Sequence, residues 1–201
     1  ELMRHGVHMV KCNINNREEC CRAFAGAYGV YAITNYWNAT DGDEYKQALN
    51  LIEAARVANV QHFITSGIPD TAVFEKNQFD LPLHCICIPF YDVHDTGKVV
   101  RECFQHPERW GHGQTVPIAA EQLTMEEICA TIREVSGKDI RFVPLSCNEA
   151  LVKLHRETVD NLRWYNDFGS IDERQAEKTK EIYGKMKTFA EWVRETQWLM
   201  E

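Results

Sequence analysis

The stretch Gly26-Ala27-Tyr28-Gly29-Val30-Tyr31-Ala32-Ile33-Thr34-Asn35-Tyr36-Trp37 decides the fold. A glycine turn closes a helix, an apolar run from Val30 to Ile33 follows, and the run stops on polar and aromatic residues. A continuous apolar run of this kind predicts a strand covered on both faces, as in a parallel sheet. Thr34 to Trp37 then fall just past its carboxyl end, where open α/β sheets bind their ligands. Two roles fit Tyr36 and Trp37 there: the wall of a ligand crevice, or loop aromatics that cap the core.

Working outward, Val7 to Ile14 predicts a strand, and the polar turn Asn13-Ile14-Asn15-Asn16 leads into a helix over Arg17 to Ala25. Gly26 is its expected C-cap. Downstream, Glu44 to Ala58 reads as a helix whose apolar face carries Tyr45, Ala48, Leu49, Ile52 and Ala55. Val60 to Thr65 follows as a strand ending at Ser66-Gly67. This alternation predicts parallel strands at 7–14, 29–34 and 60–65 joined by helical crossovers, an α/β arrangement.

Beyond Gly67 the rhythm breaks. Pro69 to Pro82 has no periodic pattern, and His84 to Ile88 reads as a strand ended by Pro89. Asp95 is positioned to cap a helix carrying Val99, Val100, Cys103 and Phe104, which stops near Pro107. Further strands are expected at Gln114–Ala119 and Ile140–Val143. Between them Thr124-Met125-Glu126-Glu127 is a capping box opening a helix closed by Gly137. From Asn148 the pattern is helical, with breaks at Gly169 and Gly184, and Thr188-Phe189-Ala190-Glu191 forms a second capping box.

Composition limits the functional classes. The chain has 201 residues, 44% hydrophobic and 26% charged, as in ordinary globular proteins. A net charge of −8 argues against direct nucleic-acid binding through a basic surface. No run approaches the ~20 apolar residues of a membrane helix, and no signal-peptide pattern opens the chain. The chain opens on Glu1 rather than Met, which fits either a fragment or an incompletely recorded product. The eight cysteines lack zinc spacing, so no metal site is expected. They read as free thiols in a reducing, cytoplasmic setting. The Asn38-Ala39-Thr40 sequon is expected to be accidental.

Two of these stretches, Gly26 to Trp37 and Val60-Gln61-His62-Phe63-Ile64-Thr65-Ser66-Gly67-Ile68, together resemble the NmrA-like family of atypical short-chain dehydrogenases. Phe90-Tyr91-Asp92-Val93-His94-Asp95-Thr96-Gly97, Gly137-Lys138 and the closing Thr188-Phe189-x-x-Trp192 fit the same register. The resemblance covers most of the chain. It implies a partial Rossmann-like parallel sheet with a smaller, mainly helical C-terminal lobe: residues 1–145 and 146–201. It also implies NADP or NAD in the cleft between them. Asn13, Asn16 and Arg17 would then lie near the adenine end, and Thr34, Asn35, Tyr36 and Trp37 would line the middle and nicotinamide side. Lys46 matches a lysine that faces the cofactor in some relatives; its other reading is a solvated helix charge.

Departures from the family pattern shape the functional expectation. No glycine-rich turn precedes a helix, as pyrophosphate binding in this family uses; Gly26-x-x-Gly29 precedes a strand instead. Relatives often carry Asp where this chain has Asn13, and the basic residues that bind a 2′-phosphate are missing. The family's lysine-bearing helix after Ser66-Gly67 also lacks a counterpart; Phe79-Asp80-Leu81 is at most a remnant. The sole Tyr-x-x-x-Lys, Tyr183 to Lys187, lies beyond the sheet and across Gly184, so no catalytic residue is assigned. Three functions remain open. One is a regulatory protein, cytoplasmic or also nuclear, that senses the dinucleotide pool through a weak or partial site and signals to a protein partner. The others are a reductase using NAD(P)H, and an interaction scaffold without nucleotide.

Overall fold

The computed structural model describes residues 2–39, 43–67, 87–168 and 174–196. These form two compact units, one of residues 1–68 with 106–111, the other of residues 69–105 with 112–201. In chain order the elements are α1 (Arg17–Phe24), β1 (Gly29–Ala32), α2 (Glu44–Val57), β2 (His62–Thr65), β3 (Cys87–Phe90), α3 (Thr96–Gln105) and α4 (Pro107–Trp110). After them come β4 (Glu121–Thr124), α5 (Met125–Ser136), α6 (Cys147–Lys153), α7 (Arg156–Phe168), α8 (Gln175–Tyr183) and α9 (Phe189–Thr196).

In the first unit β1 and β2 pair in parallel, with Val30 opposite Phe63 and Ala32 opposite Thr65. The helix α2 makes the crossover that a parallel pair requires. Burial along β1 alternates rather than running continuously: Val30 and Ala32 are buried, Tyr31 is half-buried and Ile33 is exposed. The core gathers Cys20, Val30, Ala32, Leu51 and Ala54, with Ile14, Phe24, Val60 and Phe63 packed against them. α1 begins where the Asn16 side chain accepts hydrogen bonds from the N–H groups of Glu18 and Glu19. Ala25 takes the C-cap position expected of Gly26, which follows with φ +77°.

The strand expected at 7–14 does not form. Residues 7–13 carry no ladder pairing, and Val7, Met9 and Val10 are exposed. An apolar run becomes a strand only when a neighbouring segment pairs with its backbone, and no such ladder partner occurs among the described residues. The apolar face assigned to α2 also differs from expectation. Gln47, Leu51, Ala54 and Ala55 are buried, while Tyr45, Leu49 and Ile52 are exposed. Packing against Cys20 of α1 and Val30 and Ala32 of β1 selects the face bearing Leu51 and Ala54.

In the second unit β3 and β4 pair antiparallel, with Pro89 opposite Gln122 and Phe90 opposite Glu121. Pro89 therefore lies inside a strand rather than ending it. Among the described residues this sheet has two strands, each an edge, and at an edge a missing N–H costs little. The strand expected at 114–119 forms instead at β4, and 140–143 joins no sheet among the described residues. Thr124 closes the predicted capping box with Glu127, and Gly137 ends α5 with φ +70°. Thr188 and Glu191 close the other, with N···O distances of 2.9 and 3.2 Å. Ser146 and Glu149 form a third at α6. The expected break at Gly184 falls between α8 and α9; residues 169–173, like 68–86, lie outside the described residues.

The Asp92-to-Gly97 segment anchors this unit. Asp92 accepts from the His94 N–H at 3.0 Å and pairs with the Lys187 ammonium at 2.9 Å. Asp95 takes Lys98 at 2.6 Å and the Lys187 N–H at 3.0 Å. The His94 N–H and the Lys187 charge hold the Asp92 carboxyl well below the usual range. Burial pushes the Asp95 carboxyl up, but its bonds to Lys98 and the Lys187 N–H bring it below its ordinary value.

Candidate functional site

The site candidates of the first unit lie on two loops and one helical turn. Asn13, Asn15, Asn16 and Arg17 form the turn that starts α1. Thr34 to Trp37 follow the carboxyl end of β1, where Tyr36 to Asn38 make a 3-10 turn. Lys46 is in the first turn of α2.

A glutamine that sequence reasoning passed over joins the two loops. Gln47 is 0% exposed. Its Oε1 accepts from the Asn35 N–H at 2.8 Å, and its Nε2 donates to the Asn35 carbonyl at 3.2 Å. The same Nε2 donates to Asn15 Oδ1, also at 3.2 Å. The amide thus pairs with the Asn35 backbone as a neighbouring strand would, and reaches across to the other loop. Asn15 Nδ2 returns a bond to the Asn38 carbonyl at 3.0 Å, and Asn50 Nδ2 donates to the Ile14 carbonyl at 3.1 Å. A buried polar side chain is tolerated when its hydrogen-bonding groups are matched in this way.

The other predicted residues are placed as follows. Asn13 Oδ1 accepts from the Asn15 N–H at 3.0 Å, and the Asn13 N–H donates to Glu19 at 2.9 Å. Asn16 is spent on capping α1, and Arg17 pairs with Glu53 at 2.7 Å. The Thr34 hydroxyl bonds Glu44. Tyr36 and Trp37 meet edge to face with centroids 5.2 Å apart, and Trp37 is 74% exposed. They stand out from the core rather than capping it.

Lys46 pairs with Asp43 at 3.1 Å, and its side chain is 62% exposed. The lysine in turn holds the Asp43 carboxyl below its ordinary value. It lines an open cleft with Asn15, Leu49, Asn50 and Glu53, and Asn16, Arg17 and Glu18 line an adjoining one with Asn15 and Asn50. Both readings of Lys46 therefore survive: it is solvated, and it edges a cleft. The structure brings the two loops together through Gln47 and sets Lys46 beside Asn15. It does not direct Arg17 or Asn16 toward a ligand, since both are engaged within the fold. Asn15, Gln47 and Asn50 were missed. The available signal was the spacing of Gln47 with Leu51, Ala54 and Ala55, which places an amide on an apolar face.

This donor set suits the polar ends of a dinucleotide, because side-chain amides can both donate to and accept from base and ribose groups. Among the described residues no glycine-rich turn stands at a helix N-terminus to hold a pyrophosphate. In the second unit Tyr183 and Lys187 are not built as an acid pair. The Lys187 ammonium is bound by Glu195 at 2.6 Å and Asp92 at 2.9 Å, which raise its pKa, while Lys98 lies 5.6 Å from the Tyr183 ring centre. No cluster of three or more metal-ligating side chains occurs among the described residues. None of their helices is long and apolar enough to cross a membrane.

Comparison with known proteins agrees with this architecture. In sequence, the nitrogen metabolite repression protein nmr of Neurospora crassa is 23% identical over an alignment of 222 residues, covering 74% of this chain. An NmrA-like family domain-containing protein of Dictyostelium discoideum is 21% identical and covers 86% of it. The chain spans 44% of the Neurospora protein and 76% of the Dictyostelium one. Among solved structures, Citrobacter sp. triphenylmethane reductase, complexed with NADP(H), aligns with a TM-score of 0.76 at 15% identity, covering 96% of this chain and 85% of the reductase. NmrA, a negative transcriptional regulator crystallised with NAD, gives 0.72 at 17%, covering 94% and 80%. These likenesses show a shared Rossmann-like fold. The model of the NmrA-like family matches residues 1–86 and 74–193, and the chain belongs to that family.

Proposed function

We propose that this chain is a dinucleotide-binding regulatory protein that responds to the NAD(P) pool with little or no catalytic turnover. The observation that carries the reading is the Gln47 clasp. It holds the Asn13–Arg17 turn against the Thr34–Trp37 loop at the carboxyl end of β1, the position where α/β sheets take ligands. In this reading Asn13 and Asn15 meet the adenine end, while Thr34, Asn35, Tyr36 and Trp37 meet the nicotinamide side. Lys46 contributes charge from the cleft edge. The bound dinucleotide would favour the conformation in which it makes more contacts, and a protein partner would read that shift. Regulation rather than reduction is favoured by the engagement of the Lys187 ammonium with Asp92 and Glu195, which takes it out of the Tyr-x-x-x-Lys pairing.

Calorimetric titration of NADP and NAD into the wild type, Asn35→Ala and Lys46→Ala tests the proposal. Asn35→Ala leaves the clasp intact, because Gln47 bonds the Asn35 backbone. Lys46 is largely solvated, so its loss should weaken binding by no more than about 5-fold, the roughly 1 kcal/mol ceiling of an exposed ionic contact. Undetectable wild-type binding, or equal affinity in all three proteins, would overturn the reading. Robust carbonyl reduction abolished by Tyr183→Phe would favour the reductase instead.

A further inference from the structure

Two thiols flank the Asn13–Arg17 turn in direct contact. Cys12 immediately precedes Asn13 and is half-buried, while Cys20 lies in α1 and is fully buried. Their sulfurs are 3.9 Å apart, with the Cys12 thiol donating to Cys20 and the Cys20 thiol donating to the Asn13 carbonyl, also at 3.9 Å. Two sulfurs in van der Waals contact need only side-chain rotation and a small main-chain shift to reach the ~2.05 Å of a bond. Only eight positions separate the two residues.

We propose that Cys12 and Cys20 are a peroxide-oxidisable dithiol whose disulfide reshapes the Asn13–Arg17 turn. The more accessible Cys12 reacts first. Its thiolate sulfur attacks a hydroperoxide oxygen, the O–O bond breaks, and a sulfenic acid forms with release of water or an alcohol. The Cys20 sulfur then attacks the Cys12 sulfur; the S–S bond forms, the S–O bond breaks, and hydroxide leaves with the Cys20 proton as water. Two thiols lose two electrons and two protons, and the hydroperoxide gains them. A dithiol reductant reverses the change by exchange. Burial, together with the hydrogen bond and charge of Cys12, pushes the Cys20 thiol up to about 12. Once Cys12 is a sulfenic acid, burial alone still disfavours the Cys20 thiolate, so the second step quickens as pH rises. This resists futile oxidation while leaving the pair responsive to sustained peroxide.

The turn senses the bond for a local reason. Oxidation removes the Cys20 S–H that donates to the Asn13 carbonyl and pulls Cys12 toward α1. The Asn13 N–H is meanwhile tied to Glu19, one residue before Cys20. Its consequence for cofactor affinity rests on the dinucleotide reading above; formation of the bond does not.

The test uses the intact chain treated with hydrogen peroxide, alkylated and digested with trypsin without reduction. Cleavage after Lys11, Arg17 and Arg22 should yield Cys12–Arg17 linked to Glu18–Arg22, and dithiothreitol should abolish the linked species. The link should persist in Cys21→Ser and vanish in Cys12→Ser, a near-isosteric change at a half-buried position on the margin of the core. Hydrogen exchange over residues 13–16 should rise at least 3-fold in the oxidised protein, and NADP affinity should fall at least 3-fold. No linked peptide in wild type, or a link that survives Cys12→Ser, overturns the dithiol. A link that leaves exchange unchanged overturns its action on the turn. Failure of the reduced protein to bind dinucleotide would refute the function proposed above while leaving peptide linkage and exchange to decide this inference.

Discussion

Replacing Gln47 by Met should loosen the loop after β1 selectively. Met fills nearly the same volume, so the packing around a fully buried position is largely kept. What is lost is three hydrogen bonds: two to the Asn35 backbone and one to Asn15. At roughly 0.5–1.5 kcal/mol each they sum to about 3 kcal/mol. Asn35 is exposed, so its freed N–H and carbonyl regain water, and a loss of about 2–3 kcal/mol is expected. Because ~1.4 kcal/mol is a factor of ten, exchange of the Asn35 amide should accelerate about 30- to 150-fold. The assay is native-state hydrogen exchange followed by mass spectrometry over residues 33–39, with Phe63 and Ile64 on β2 as an internal reference. Gln47→Glu should be equally damaging. Its carboxylate can accept from the Asn35 N–H, but it cannot donate to the Asn35 carbonyl or to Asn15. Exchange within 3-fold of wild type in both variants would show that the clasp does not order this loop.

Three further outcomes follow from the second unit. Thr179 is fully buried, accepts from the Ala119 N–H at 3.0 Å and donates to the Pro117 carbonyl at 2.8 Å, sharing its proton with the Gln175 carbonyl at 2.9 Å. Thr179→Val keeps the shape but strands those groups, and urea denaturation should show a loss of about 2–3 kcal/mol. Thr124→Ala removes the N-cap of α5 and should cost about 1 kcal/mol in the same assay, with Thr124→Ser close to wild type. Glu191 is held down to about 2, against an ordinary 4.5, by the Lys185 ammonium and by the Thr188 N–H and hydroxyl. Its folded pKa lies below its unfolded one, so its contribution is complete above pH 4.5 and disappears as pH falls toward 2. An acid titration followed by circular dichroism should show that slope flattened in Glu191→Gln, and reduced in the wild type by salt because Lys185 is exposed.

Local chemistry carried much of this protein from sequence alone. Helix starts were legible where a short polar side chain meets its own backbone three residues on, as at Thr124–Glu127 and Thr188–Glu191. That bond depends on neighbours in the chain and on nothing distant. β1 and β2 were legible for a related reason, since apolar, β-branched runs flanking one amphipathic helix have few folding solutions. Tertiary structure decided what depends on partners remote in sequence. Val7–Ile14 has the composition of a strand, but pairing is a property of two segments, and no ladder forms there among the described residues. The antiparallel union of β3 with β4 joins residues more than thirty positions apart, and it holds Pro89 in a strand that is an edge among the described residues. On α2, periodicity allowed two apolar faces, and packing against α1 and β1 buried the one bearing Gln47. That choice places an amide, usually read as surface, where it can hold the Asn35 backbone and Asn15 together. The family and the loop after β1 could be read along the chain; the clasp that shapes the candidate site required its fold, because hydrogen bonds between residues 15, 35 and 47 exist only once α2 has docked.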